Sequence, residues 1–89
     1  MFTLQFEKMG YTNYCCDAVK ASAGSVELHI TFKDAADVFV YLSDDDKVYN
    51  ILLPLREANT RHDIRLTNVA GKYIWIITNA RPASASCIN

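Results

Sequence analysis

The stretch Val26-Glu27-Leu28-His29-Ile30-Thr31-Phe32-Lys33 alternates apolar and polar residues without a break, a period of two that marks a half-buried β-strand. Its apolar members belong to one face, and Glu27, His29, Thr31 and Lys33 to the other. The same period continues on both sides. Upstream, Phe2, Leu4 and Phe6 alternate with Thr3, Gln5 and Glu7, which predicts a first strand with its aromatics inward. Downstream, residues 38–43 and 47–55 read as two more strands. They are joined by Asp44-Asp45-Asp46, side chains that tolerate a tight turn and repel other chains from a hairpin tip. Pro54 has no N–H to donate, so that strand end belongs at an edge or outside the sheet. Residues 56–63 read as a long polar loop. Strands over 64–69 and 72–78 follow, parted by Ala70-Gly71, where glycine supplies a positive φ.

Residues 10–24 are less decided. Residues 17–23 fit a short helix capped by Asp17 and ended by Gly24, or part of a strand over 15–21. A hairpin through Ser22-Ala23-Gly24-Ser25 into Val26 favours the strand. The segment 80–89, with Pro82 and alternating Ala and Ser, is weakly apolar, and it is expected to be mobile or to lie on a neighbour. Short strands at this spacing, with almost no helix signal, predict an all-β fold: a small antiparallel β-sandwich of about seven short strands. One domain over 1–79 and a tail over 80–89 are expected.

With 89 residues, 51% of them hydrophobic and 21% charged, the chain is too apolar for a disordered linker and too short for two domains. Nine Lys and Arg against ten Asp and Glu leave a net charge of −1, without the basic excess of a nucleic-acid module. No apolar run approaches the roughly 18 residues of a membrane helix. The first residues lack the pattern of a signal peptide, so a cytoplasmic or virion location is expected.

Alternation fails in the second half. In Val38-Phe39-Val40-Tyr41-Leu42, in Tyr49-Asn50-Ile51-Leu52-Leu53 and in Tyr73-Ile74-Trp75-Ile76-Ile77, both registers are largely apolar. Such strands are covered on both faces. A sandwich without helices hides only one, and each large side chain left in water forfeits about 1.5–3 kcal/mol. A partner surface is therefore expected at Phe39, Tyr41, Tyr49, Ile51, Ile74 and Ile76, met by a second copy or a larger protein assembly.

Chemistry-bearing residues are sparse. Cys15, Cys16 and Cys87 are odd in number, and the first two are adjacent, which argues against a disulfide framework and fits small buried residues in a reducing compartment. A thiol enzyme would draw one of them together with His29 or His62, but no local signature supports this. The spacing does not suit zinc. Asp44–46 offers oxygen ligands yet lacks the glycine and downstream glutamate of a calcium loop, so a solvated turn is expected. Arg56, Arg61, His62 and Arg65 form a basic patch softened by Glu57 and Asp63. No cofactor motif is present, and the expected role is non-enzymatic.

Gly71-Lys72-Tyr73-Ile74-Trp75 and Gly24-Ser25-Val26 resemble the entries to strands F and B of immunoglobulin-like domains. The resemblance implies a sandwich with Tyr73 at a tyrosine corner. Trp75 stands where that family has its second cysteine, and strand B carries none, so no inter-sheet disulfide is implied. In general character the chain is also similar to small accessory proteins of bacteriophage particles, such as capsid decoration, head-fibre and tail-adaptor proteins. The expected function is a structural or binding module acting through a protein surface. The alternatives are a small inhibitor of a host enzyme or nucleic-acid complex, and a carbohydrate-binding module using Tyr41, Tyr49 or Trp75.

Overall fold

A computed structural model describes residues 1–89, apart from the side chains of residues 51–57. Its elements are strands: β1 (Phe2–Thr3), β2 (Glu7–Met9), β3 (Asn13–Cys15), β4 (Val19–Lys20), β5 (Ser25–Ser43), β6 (Asn50–Thr67), β7 (Tyr73–Thr78) and β8 (Ser84–Ile88). They form one curled antiparallel sheet in the order β1-β8-β5-β7-β3-β2, with β6 against β5 and β4 against β7. The all-β, antiparallel expectation is met.

Two of the strands are far longer than the alternation suggested, and four are only two or three residues long. The stretches 26–33 and 38–43 are one strand, β5, and the expected polar loop 56–63 lies inside β6. Polar residues there ride on a bend. Between the pairs Thr31↔Arg61 and Ala36↔Asn59, residues 32–35 of β5 stand against Thr60 alone; between Ala36↔Asn59 and Val38↔Leu55, Asp37 stands against residues 56–58. Bulges of this kind sharpen twist and fold a ribbon over. Ala36 is small enough for the inside of the bend and is buried there. His62 is buried too: its Nε2 donates to the Ala36 carbonyl at 2.8 Å, and its ring meets the edge of Phe32 at 5.8 Å between centroids. A buried imidazole needs such a partner, since an unpaired polar group there costs about 1–3 kcal/mol.

The bend gives β5 two sets of neighbours. Its first half pairs with β8, from Glu27↔Ile88 to Thr31↔Ser84, and its second half with β7, from Val38↔Thr78 to Ser43↔Tyr73. β8 thus puts residues 84–88 in the sheet, where a tail that is mobile or lies on a neighbour was expected. Ala85 and Cys87 lie opposite Ile30 and Leu28, where large side chains already fill the interior and small ones fit. Asn89 ties the end down, accepting from the Ser22 N–H at 2.9 Å and donating to the Lys20 carbonyl at 2.9 Å.

Residues 15–21 form no hairpin with Val26 and no helix. β3 and β4 both pair with β7, and between Cys15↔Ile77 and Val19↔Ile74 the residues Cys16, Asp17 and Ala18 stand against only Trp75 and Ile76. Gly71, at φ 74°, turns the chain from β6 to β7, and its N–H donates to the Ala21 carbonyl at 2.9 Å.

The core lines the concave side of the curl. Val26, Leu28, Ile30, Val38, Val40, Ile74 and Ile76 are fully buried. Ile74 and Ile76 were expected at a partner surface; they belong instead to the inward register of β7, opposite Leu42 and Val40.

Candidate functional site

The convex side of the sheet changes character along β5. Over its first half the outward residues are Ser25, Glu27, His29 and Thr31; over its second half they include Phe39 and Tyr41, with Ser43 buried at the end, while the inward residues Val26, Leu28, Ile30, Val38 and Val40 are all apolar. Register builds the aromatic half into rows. Phe39 lies opposite Ile77, and Tyr41 opposite Trp75; Tyr73 begins the next row, with the Lys20 ammonium 5.6 Å above its ring. Each of these apolar side chains is half-buried.

Tyr49 reaches this face from the β5–β6 turn. Its ring lies 5.8 Å from Trp75, inclined at 56°, and the Tyr41 ring lies 5.9 Å from Trp75, inclined at 48°. Aromatic pairs at these separations attract beyond their buried area, so the three rings hold one another in place. Trp75 is fixed further by its Nε1, which donates at 2.9 Å to the Cys16 carbonyl made available by the β3–β4 bulge. Beside Trp75 and Tyr49, the bulge leaves an open groove of about 390 Å³, walled by Cys15 and Ala18 and flanked by Asp17 and Asp46. Tyr49 donates its hydroxyl to Asp46, and burial together with that bond pushes its pKa up to about 12.

Of the residues expected at a partner surface, Phe39, Tyr41 and Tyr49 share this face, Ile74 and Ile76 lie beneath it, and the side chain of Ile51 is outside the described residues, as is that of Arg56. The sequence offered Trp75 beside Tyr41 and Tyr49 only for carbohydrate, and two contributors were missed: Ile77 and the bulge that anchors Trp75. The register 39/77 and 41/75 follows once β5 and β7 are paired, a long-range fact that local alternation does not carry.

The other candidate groups take structural roles. Asp45 closes the β5–β6 turn, its Oδ1 accepting from the Lys47 N–H at 2.9 Å, from the Val48 N–H at 3.2 Å and from the Ser43 hydroxyl at 3.0 Å. Those donors hold its carboxyl below the usual range. Asp44 pairs with Lys72 at 2.6 Å, and Asp46 adopts φ 61°. All three aspartates therefore serve the turn. Cys16 and Cys87 are buried, and burial pushes the Cys16 thiol up to about 11, which disfavours the thiolate. His29 bonds Asp63 and His62 bonds a carbonyl; among the described residues neither bonds a thiol. Nor, among the described residues, does any group of three His, Cys, Asp or Glu side chains converge as metal ligands.

On the polar half, His29 Nδ1 meets Asp63 Oδ1 at 2.6 Å, Arg61 Nε donates to Asp63 Oδ2 at 2.8 Å, and Glu27 lies 3.6 Å from His29 Nε2. These are solvent-accessible, mutually paired charges on the convex side. Compared with protein-family models, with curated proteins and with solved structures, the chain matches none.

Proposed function

We propose that the chain is a non-enzymatic binding module whose working surface is the aromatic convex face of β5 and β7, and that its partner is another protein. The observation that carries this reading is the change along one strand: Glu27, His29 and Thr31 give way to Phe39 and Tyr41 outward, with the inward face unaltered. Core burial does not require that change. Aromatic side chains held rigid by their neighbours, with charges such as Lys20 and Asp46 at the margin, are the composition of protein interfaces and of their strongest anchors. The fold reading that accompanies it is a small sandwich, supported by the two sets of neighbours that the bent β5 acquires. A place on a larger particle, such as a virion, suits a module of this kind; its support is the general likeness alone.

Affinity capture from the native host's extract tests the proposal. Immobilised wild type and His29→Gln should retain the same discrete protein, and Tyr41→Glu should lose at least ten-fold of it, a change of about 1.4 kcal/mol. Equal retention by Tyr41→Glu overturns the reading. Retention of an oligosaccharide in place of a protein would assign the groove beside Trp75 and Tyr49 to carbohydrate.

A further inference from the structure

The last part of β6, residues 61–67, is the edge of the sheet beyond the first half of β5: among the described residues β6 pairs with β5 alone. Exposed edges invite pairing with another chain, and proteins blunt them with short strands, with proline or with charged side chains. β1 and β2 are two and three residues long, and the early part of β6 contains Pro54. Residues 61–67 are longer than β1 and β2 and contain no proline, so charge is the guard left to them. Arg61, Asp63, Arg65 and Thr67 are exposed on the convex side, whereas His62, Ile64 and Leu66 face the core.

The charges on this edge are mixed in sign and ordered so as to match their own reverse. In an antiparallel pair of two copies about Ile64, Asp63 of each stands opposite Arg65 of the other. Glu27 and His29 lie next to Arg65 and Asp63 on β5. The row across both copies therefore runs Glu27, Arg65, Asp63, His29, with alternating sign once His29 is protonated. A slip to Asp63 as centre opposes Asp63 to Asp63 and Arg61 to Arg65; a slip to Arg65 opposes Arg65 to Arg65. Directly opposed like charges destabilise a pair of strands, and opposite ones stabilise it. Only the Ile64-centred register of the three is favoured. Two-fold self-complementarity of this kind is what an isologous dimer needs.

We infer that β6 residues 61–67 pair antiparallel with the same strand of a second copy, centred on Ile64, joining two sheets edge to edge. The occupant is this chain itself, and the contact is separate from the aromatic face.

Light scattering on size-separated protein tests this with wild type, Arg65→Asp and Asp63→Arg, each checked for fold by circular dichroism. Wild type should show twice the monomer mass at concentrations where each variant shows the monomer. An equimolar mixture of the two variants should return to twice the monomer mass, because the two carboxylates at positions 63 and 65 of one variant then face the two guanidinium groups at positions 65 and 63 of the other. Wild type that stays single at millimolar concentration overturns the inference, as do variants that pair as well as wild type or folded variants that do not pair when mixed. Amide hydrogen exchange on wild type supplies the readout if a variant fails to fold: protection across 61–67 should rise with concentration, and protection independent of concentration overturns the inference.

Discussion

Tyr41 and Ile74 occupy adjoining rows of the β5–β7 ladder, opposite Trp75 and Leu42 respectively, and face opposite sides of the sheet. Ile74 is fully buried and Tyr41 half-buried, so the same substitution should have different costs. Ile74→Glu places a carboxylate in the core and is expected to cost at least about 3 kcal/mol, much of the stability of a small domain. Tyr41→Glu should change stability by about 1 kcal/mol or less. Urea denaturation followed by circular dichroism checks both; equal losses would mean that Tyr41 is part of the core. His29 carries a pH signature. Its pKa is raised above 6.5, chiefly by its bond to Asp63, so its stabilisation is fully present below 6.5 and is lost as pH climbs through the raised value. Asp63 is lowered below 3.8 by Arg61 and then by His29, so its share is present above 3.8 and is lost as pH falls through the lowered value. The melting temperature of wild type should therefore exceed that of His29→Gln most between about pH 4 and pH 6.5, and the gap should narrow by about pH 9 and in high salt. A gap that widens above pH 7 would contradict the His29–Asp63 pairing.

At the scale of elements, the alternation at Val26 to Lys33 was legible because one residue type in two carries the whole signal. The hairpin through Asp44-Asp45-Asp46 was legible from its turn chemistry. What failed was anything set by distant pairing. The polar residues of 56–63 looked like a loop since nothing local says that a bend can carry them on a strand, with Ala36 and His62 kept inside. Residues 84–88 looked mobile since Ala and Cys are small, yet small side chains are what fit opposite Ile30 and Leu28. Of the expected surface, Phe39, Tyr41 and Tyr49 were legible as apolar positions in excess; Ile74 and Ile76 were assigned to the wrong side because two apolar registers give no clue to which is inward. Thiol labelling checks the placement of β8. Cys15 is half-buried at the groove, whereas Cys16 and Cys87 are buried. One thiol should react readily in the native protein and all three in denaturant. Ready labelling of Cys87 in the native state would mean that β8 is not docked.

For the molecule as a whole, a single bent ribbon of β5 and β6 supports two outward surfaces of different chemistry, a charged one beside β8 and an aromatic one beside β7. The inward residues of both halves close one core, so the surfaces are free to differ without cost to the fold. If the aromatic surface is where a partner protein docks, contact should follow the position of a probe along β5. The most direct measurement places a photo-crosslinking amino acid at position 41 or, on the same strand, at position 31, in protein expressed in its native host. Protein adducts at 41 with only background at 31 are the predicted result; adducts at 31 and none at 41 would contradict the account.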